Sequence, residues 1–168
     1  MKKLYILRHA KSSWDNPILA DFDRPLNERG TKTADFMGNF LLKQDFQPDL
    51  ILTSPATRAQ ETANIVKKTA KFQAEIKLEE NIYEASVQTL VKIVSELKEN
   101  VQTVLLVGHN PGLEGLIKFL TGEIQSMPTA GLAIIDLKIE KWKEIAAECG
   151  TLQDLVRPKM EIKKSDSD

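Results

Sequence analysis

The sequence predicts an α/β fold, a three-layer α/β/α sandwich with a mainly parallel central sheet, on three observations. Unbroken apolar runs recur at Leu4-Tyr5-Ile6-Leu7, Leu50-Ile51-Leu52 and Val104-Leu105-Leu106-Val107, as suits strands buried on both faces by flanking helices. Residues with helical apolar spacing fill the intervals between these runs. Strand and helix patterns therefore alternate along the chain, as they do in strand-helix-strand units.

Residues 28–44 follow the first run and carry Ala34, Met37, Leu41 and Leu42 at helical spacing. After the second run, Ser54 offers an N-cap and Pro55 an N1 residue for a helix whose Ala59, Ala63, Val66 and Ala70 form one stripe. Residues 75–78 suit a short strand. Ser86 can cap a third helix bearing Leu90, Val91, Val94 and Leu97. A fourth is expected to begin with Asn110 as N-cap and Pro111 as N1, to bury Leu113, Leu116, Ile117 and Leu120, and to close at Gly122. Residues 131–137 and 142–147 read as two further strands joined by a polar turn.

A chain of 168 residues fits one domain. That domain is assigned to residues 1–162, and the polar end, 163–168, is expected to fray. The net charge of −1 and pI near 6.2 provide no global positive field for nucleic acid or an anionic membrane, so any anion site must be local. The single cysteine, Cys149, has no partner for a disulfide or a Cys-x-x-Cys pair. Lys2 and Lys3 precede only four apolar residues, where a signal peptide needs roughly 7 or more, and no apolar run approaches the roughly 20 residues that span a bilayer. A cytoplasmic location is expected.

The only two histidines, His9 and His109, each lie just beyond an apolar strand run. In open α/β sheets ligands bind at that edge, where loops lead into helix N-termini. Arg8 precedes His9 at the end of a buried strand, so its guanidinium needs an anion or an exit to solvent. Arg58 falls in the first turn or so of its helix, where the macrodipole disfavours a cation unless an anion sits beside it. Two guanidiniums, two imidazoles and two helix N-termini at one sheet edge match a phosphoryl group, whose non-bridging oxygens need fixed donors. A metal site is a weaker account, because neither histidine has an i, i+4 partner and no His/Asp/Glu cluster accompanies them.

These residues also carry a family resemblance. Leu7-Arg8-His9-Ala10 resembles the opening Arg-His-Gly signature of the histidine phosphatase superfamily. The run from Ser54-Pro55 through Arg58-Ala59 to Thr62-Ala63 resembles its second signature, and Val107-Gly108-His109-Asn110-Pro111 its third. Pro25-Leu26 and Gly30 resemble the segment that begins its first helix. The Arg-His-Ala-Lys-Ser opening is most similar to the SixA-type phosphohistidine phosphatase branch. The resemblance implies a phosphoglycerate mutase-like fold and a metal-independent phosphatase that needs no cofactor. It further implies that His9 attacks phosphorus and that Arg8, Arg58 and His109 hold the phosphate oxygens.

Two positions depart from the family pattern. Ala10 stands where the broad signature has glycine. Many relatives also carry a general-acid glutamate in a context that this sequence does not reproduce, and Glu84 is the candidate here. The implied partner is a phosphorylated protein or a small phosphate ester. A mutase or broad small-molecule phosphatase of the same superfamily, or a catalytically idle phosphoprotein-binding domain, are the alternatives.

Overall fold

Burial on both faces explains why the strands read as apolar runs. The computed structural model describes residues 1–159, with β1 Lys2–Arg8, α1 Glu28–Lys43, β2 Leu50–Thr53, α2 Thr57–Ala70, β3 Ile76–Leu78, α3 Val87–Ser95, β4 Thr103–Gly108, α4 Gly112–Thr121, β5 Leu132–Leu137 and β6 Gly150–Val156. They form one six-stranded sheet in the order β3-β2-β4-β1-β5-β6. β3, β2, β4 and β1 pair in parallel, whereas β5 is antiparallel to both β1 and β6. The expected three-layer α/β architecture with a mainly parallel sheet is observed; the tail expected to fray, 163–168, lies outside the described residues.

Successive strand residues point to opposite faces, and this alternation divides the core in two. Leu4, Ile6, Val104 and Leu106 pack with Leu90 and Val94 of α3 and with Leu113, Leu116, Ile117 and Leu120 of α4. Tyr5, Leu7, Leu105 and Val107 pack with Ala34, Met37 and Leu41 of α1 and with Ala59, Ala63, Val66 and Ala70 of α2. The last two helices approach closely at Gly38, where a β-carbon would stand 2.6 Å from Thr69 Cβ. No described helix is long and apolar enough to cross a membrane.

Three local expectations change. The segment 142–147 is not a strand: Trp142–Glu144 forms a 3-10 turn that buries Trp142 and directs its Nε1 to the Val101 carbonyl at 2.7 Å. The final strand comes later, at β6. The cap of α2 is Ala56 rather than Ser54, because Ser54 Oγ accepts from Ala56 N and contacts His109. Likewise α4 is capped at Pro111, while the Asn110 amide bridges Glu114 Oε1 and the Met127 carbonyl. Gly122 closes α4 at φ 78, as expected for a residue that adopts the left-handed region without strain.

The topology creates one crevice. Adjacent parallel strands β1 and β4 send their chains to opposite faces, β1 toward α1 and β4 into α4. Such a divergence opens a cleft beyond the carboxyl ends of the strands.

Candidate active site

Register brings the two histidines together. Arg8 pairs with Gly108 across β1 and β4, so His9 and His109 leave the sheet at the same level, and their ring centroids are 5.1 Å apart. The backbone at His9 is tied on every side. His9 N donates to the Gly108 carbonyl at 3.1 Å, while Ala130 N donates to the carbonyls of Arg8 and His9 at 3.1 and 3.0 Å. Ala10 N donates to Thr62 Oγ1 at 2.9 Å, and that hydroxyl donates to the Arg58 carbonyl at 2.7 Å. A side chain on backbone held this way does not need to be ordered during a reaction.

The proton on His9 can be placed from its partner. His9 Nδ1 lies 2.7 Å from the Ala10 carbonyl oxygen, which can only accept, so Nδ1 donates and Nε2 carries the lone pair in the neutral ring. Burial above all, then Arg58, Arg8 and Arg24, lowers the His9 pKa from 6.5 to about 4, against the opposing bond to Ala10. Burial, His9 and Arg58 lower that of His109 to about 3. Both rings are therefore neutral at pH 7. His109 Nε2 lies 2.8 Å from Ser54 Oγ.

Arg8, His9, Arg58 and His109 line a single cavity of about 350 Å³, shared with Lys11, Arg24 and Asn110. Arg8, Arg58, His109 and Asn110 each carry a buried side-chain atom without a hydrogen-bond partner, namely Nε of both arginines, Nδ1 of the histidine and Oδ1 of the asparagine. Buried polar atoms are nearly always satisfied, and exceptions gathered at one cavity mark a binding site. Three of these residues supply donors suited to an oxyanion. Among the described residues, no group of three His, Cys, Asp or Glu side chains is placed to hold a metal ion.

The anion that sequence reasoning required beside Arg58 exists within the protein. Arg58 Nη1 donates to the Asp21 carbonyl at 2.7 Å and Nη2 to Asp21 Oδ2 at 3.0 Å. Tyr83 Oη donates to the same carboxylate oxygen at 2.7 Å, while Arg24 donates to Oδ1. The Tyr83 bond first, then Arg58 and Arg24, lowers the Asp21 carboxyl to about 2 against some desolvation. Asp21, Arg24 and Tyr83 were not found from the sequence. Asp21 lies in the irregular stretch after β1, and no periodicity or motif spacing links it to Arg58.

Glu84 stands apart. It is exposed, has φ 54 and does not line the cavity. Its backbone follows Tyr83, whose ring lies edge-on to His109 with centroids 5.5 Å apart, but the expectation that Glu84 serves as general acid finds no support in this geometry. Among the described residues, no carboxyl side chain lines the cavity.

The site's relatives have the same arrangement of fold. Residues 4–106 match the histidine phosphatase superfamily, branch 1, a span that includes Arg8, His9 and Arg58 and ends short of His109. An uncharacterised chloroplastic protein of Arabidopsis thaliana is 30% identical over 96% of this chain and 80% of its own. Among solved structures, the SixA protein of Agrobacterium tumefaciens is 32% identical with a TM-score of 0.81, covering 94% of this chain and 98% of that one. A protein histidine phosphatase SixA complexed with tungstate has the same fold, at 24% identity, a TM-score of 0.83, and coverage of 95% and 99%. Since the family match runs from the first strand into the fourth and takes in most of the cavity's cations, the chain belongs to the histidine phosphatase superfamily, branch 1.

Proposed function

We propose that this protein is a metal-independent phosphatase acting through a covalent phosphohistidine on His9, with a phosphohistidine protein as the favoured substrate and small phosphate esters as further ones. The observation that carries this reading is the 2.7 Å contact of His9 Nδ1 with the Ala10 carbonyl: with Nδ1 as its donor, Nε2 is left as a neutral nucleophile in a cavity of cations.

In the first step the Nε2 lone pair forms a bond to phosphorus as the bond to the leaving group breaks and its electrons depart with that group. Arg8, Arg58 and His109 donate to the non-bridging oxygens, whose charge the cavity must hold as the group transfers. The adduct ring is cationic, and its proton stays on Nδ1, donated to the Ala10 carbonyl. Water then attacks phosphorus, the P–N bond returns its electron pair to Nε2, and the product leaves as dihydrogen phosphate carrying both protons of that water, which solvent can take up.

The leaving group supports the substrate class. A cavity lined by no carboxyl side chain among the described residues has no evident acid for an alkoxide. A phosphohistidine protonated on its second ring nitrogen departs as neutral imidazole and needs none. The test is turnover of a phosphohistidine protein, a phosphoserine peptide and an aryl phosphate, each with EDTA present. Phosphohistidine and aryl phosphate should be hydrolysed and phosphoserine hardly at all; EDTA-sensitive turnover or a preference for phosphoserine would overturn the proposal.

A further inference from the structure

A second concavity adjoins the catalytic one. It has a volume of about 350 Å³ and is lined by Lys11, Arg29, Arg157 and Lys159 around Pro128 and Thr129, and it shares Lys11 and Thr129 with the catalytic cavity. The fold holds these cations together. Asn27 N donates to the Lys11 carbonyl at 3.0 Å, and a β-carbon at Gly30 would collide with that oxygen, so the start of α1 lies directly on the Lys11 backbone and carries Arg29 beside it. Across the groove, Arg157 Nη2 donates to the Ser126 carbonyl and Gln125 Oε1 at 3.2 and 3.3 Å. Both are neutral acceptors, and among the described residues no carboxylate pairs with this guanidinium.

Among the described residues, none of the four cations has a carboxylate within ion-pair distance; the carboxylates that do pair are taken by other residues. Among the described residues, a chain with a net charge of −1 thus gathers four cations without a paired carboxylate in one groove that adjoins its catalytic cavity. Phosphoryl transfer itself does not need this charge, because Arg8 and Arg58 already serve the phosphate. No aromatic side chain lines the groove, so nothing there would stack a nucleic-acid base.

We propose that this groove is the docking surface for an acidic segment of the substrate phosphoprotein, lying next to the phosphorylated residue. The proposal rests on the phosphatase reading and adds the chemistry of the partner. Carboxylates in the groove would raise the local concentration of the phosphoryl group at His9 and speed encounter, an effect that salt screens.

The experiment compares two synthetic peptides with the same phosphohistidine, one flanked by aspartates and the other by asparagines. For the wild-type protein at low salt, kcat/KM should be about fivefold or more higher for the aspartate peptide, as expected for a few exposed ion pairs, and the ratio should approach one as salt is raised. In the Arg29→Glu, Lys159→Glu double variant the preference should vanish or invert, while aryl phosphate turnover stays unchanged. Equal kcat/KM for both peptides in the wild type, or an undiminished preference in the variant, would overturn the docking proposal. If the aryl phosphate is turned over and neither peptide is, the phosphohistidine reading fails on its own. The groove is then read by fluorescence anisotropy of a labelled, unphosphorylated aspartate peptide, whose binding must weaken in the variant for the proposal to stand.

Discussion

Replacing Arg58 with alanine separates ligand binding from structural support, because this side chain is tied to Asp21 in the structure and is proposed to hold the phosphate as well. Its side chain is 7% exposed and pairs with an Asp21 side chain that is 47% exposed. Asp21 keeps Arg24 and Tyr83 as donors, so the substitution strands no isolated buried anion. Loss of a half-solvated pair costs about 1 kcal/mol, and loss of packing along the aliphatic stem adds about 1 kcal/mol. In the transition state, removing one fixed donor to an oxyanion typically costs about 3 kcal/mol, or a factor of roughly a hundred. The expected outcome is thus a stability loss of about 2 kcal/mol, a fall in kcat/KM on an aryl phosphate of roughly a hundredfold or more, and clearly weaker inhibition by vanadate. Urea unfolding and steady-state kinetics read these effects separately. Arg58→Lys, which keeps the charge and loses the planar fork, should recover only part of the rate. Destabilisation of about 4 kcal/mol or more with undiminished vanadate affinity would show that Arg58 serves the fold through Asp21 and not the ligand.

Three further outcomes follow from the geometry. His9 and His109 have pKa values lowered from 6.5 to about 4 and about 3, so below pH 6.5 the unfolded chain takes up protons that the folded chain refuses and stability falls as pH drops toward 4. NMR titration should find both rings neutral at pH 6, and a His9 midpoint near 6.5 would contradict the account. Thr62→Val removes the acceptor of Ala10 N and should cost about 1–3 kcal/mol together with a drop in kcat, measured by urea unfolding and aryl phosphate turnover; unchanged values would mean that the loop at His9 is held without it. Glu84→Gln should change turnover of alkyl phosphate, aryl phosphate and phosphohistidine by less than about twofold, consistent with exposed-surface substitutions, whereas a graded loss greatest for the alkyl ester would restore its acid role.

What the sequence made legible depended on burial. β1, β2 and β4 lie inside the sheet and read as unbroken apolar runs, and the histidines and Arg8 were placed because they stand where such runs end. β6 was missed for a physical reason: it is an edge strand with exposed Thr151, Gln153 and Asp154, and a register shift opposite Ile134 and Ile135 breaks the two-residue alternation. Trp142 misled because a large buried aromatic suits a strand as well as the 3-10 turn it occupies. Ser54 was read as a helix cap from its spacing to the next helix, whereas its hydroxyl is committed to His109 and Ala56 N. Asp21 was illegible for a different reason, since its role lies in contacts with Arg58 and Tyr83 that local patterning does not encode.

The central claim is that His9 Nε2 takes the phosphoryl group. Rapid quenching during turnover of a phosphohistidine protein, followed by peptide mass spectrometry at neutral to alkaline pH, tests it directly. The account predicts an acid-labile, base-stable phosphate on His9, and neither adduct nor turnover in a folded His9→Ala variant. Full turnover by that variant, or a phosphate found on His109 and not on His9, would contradict it.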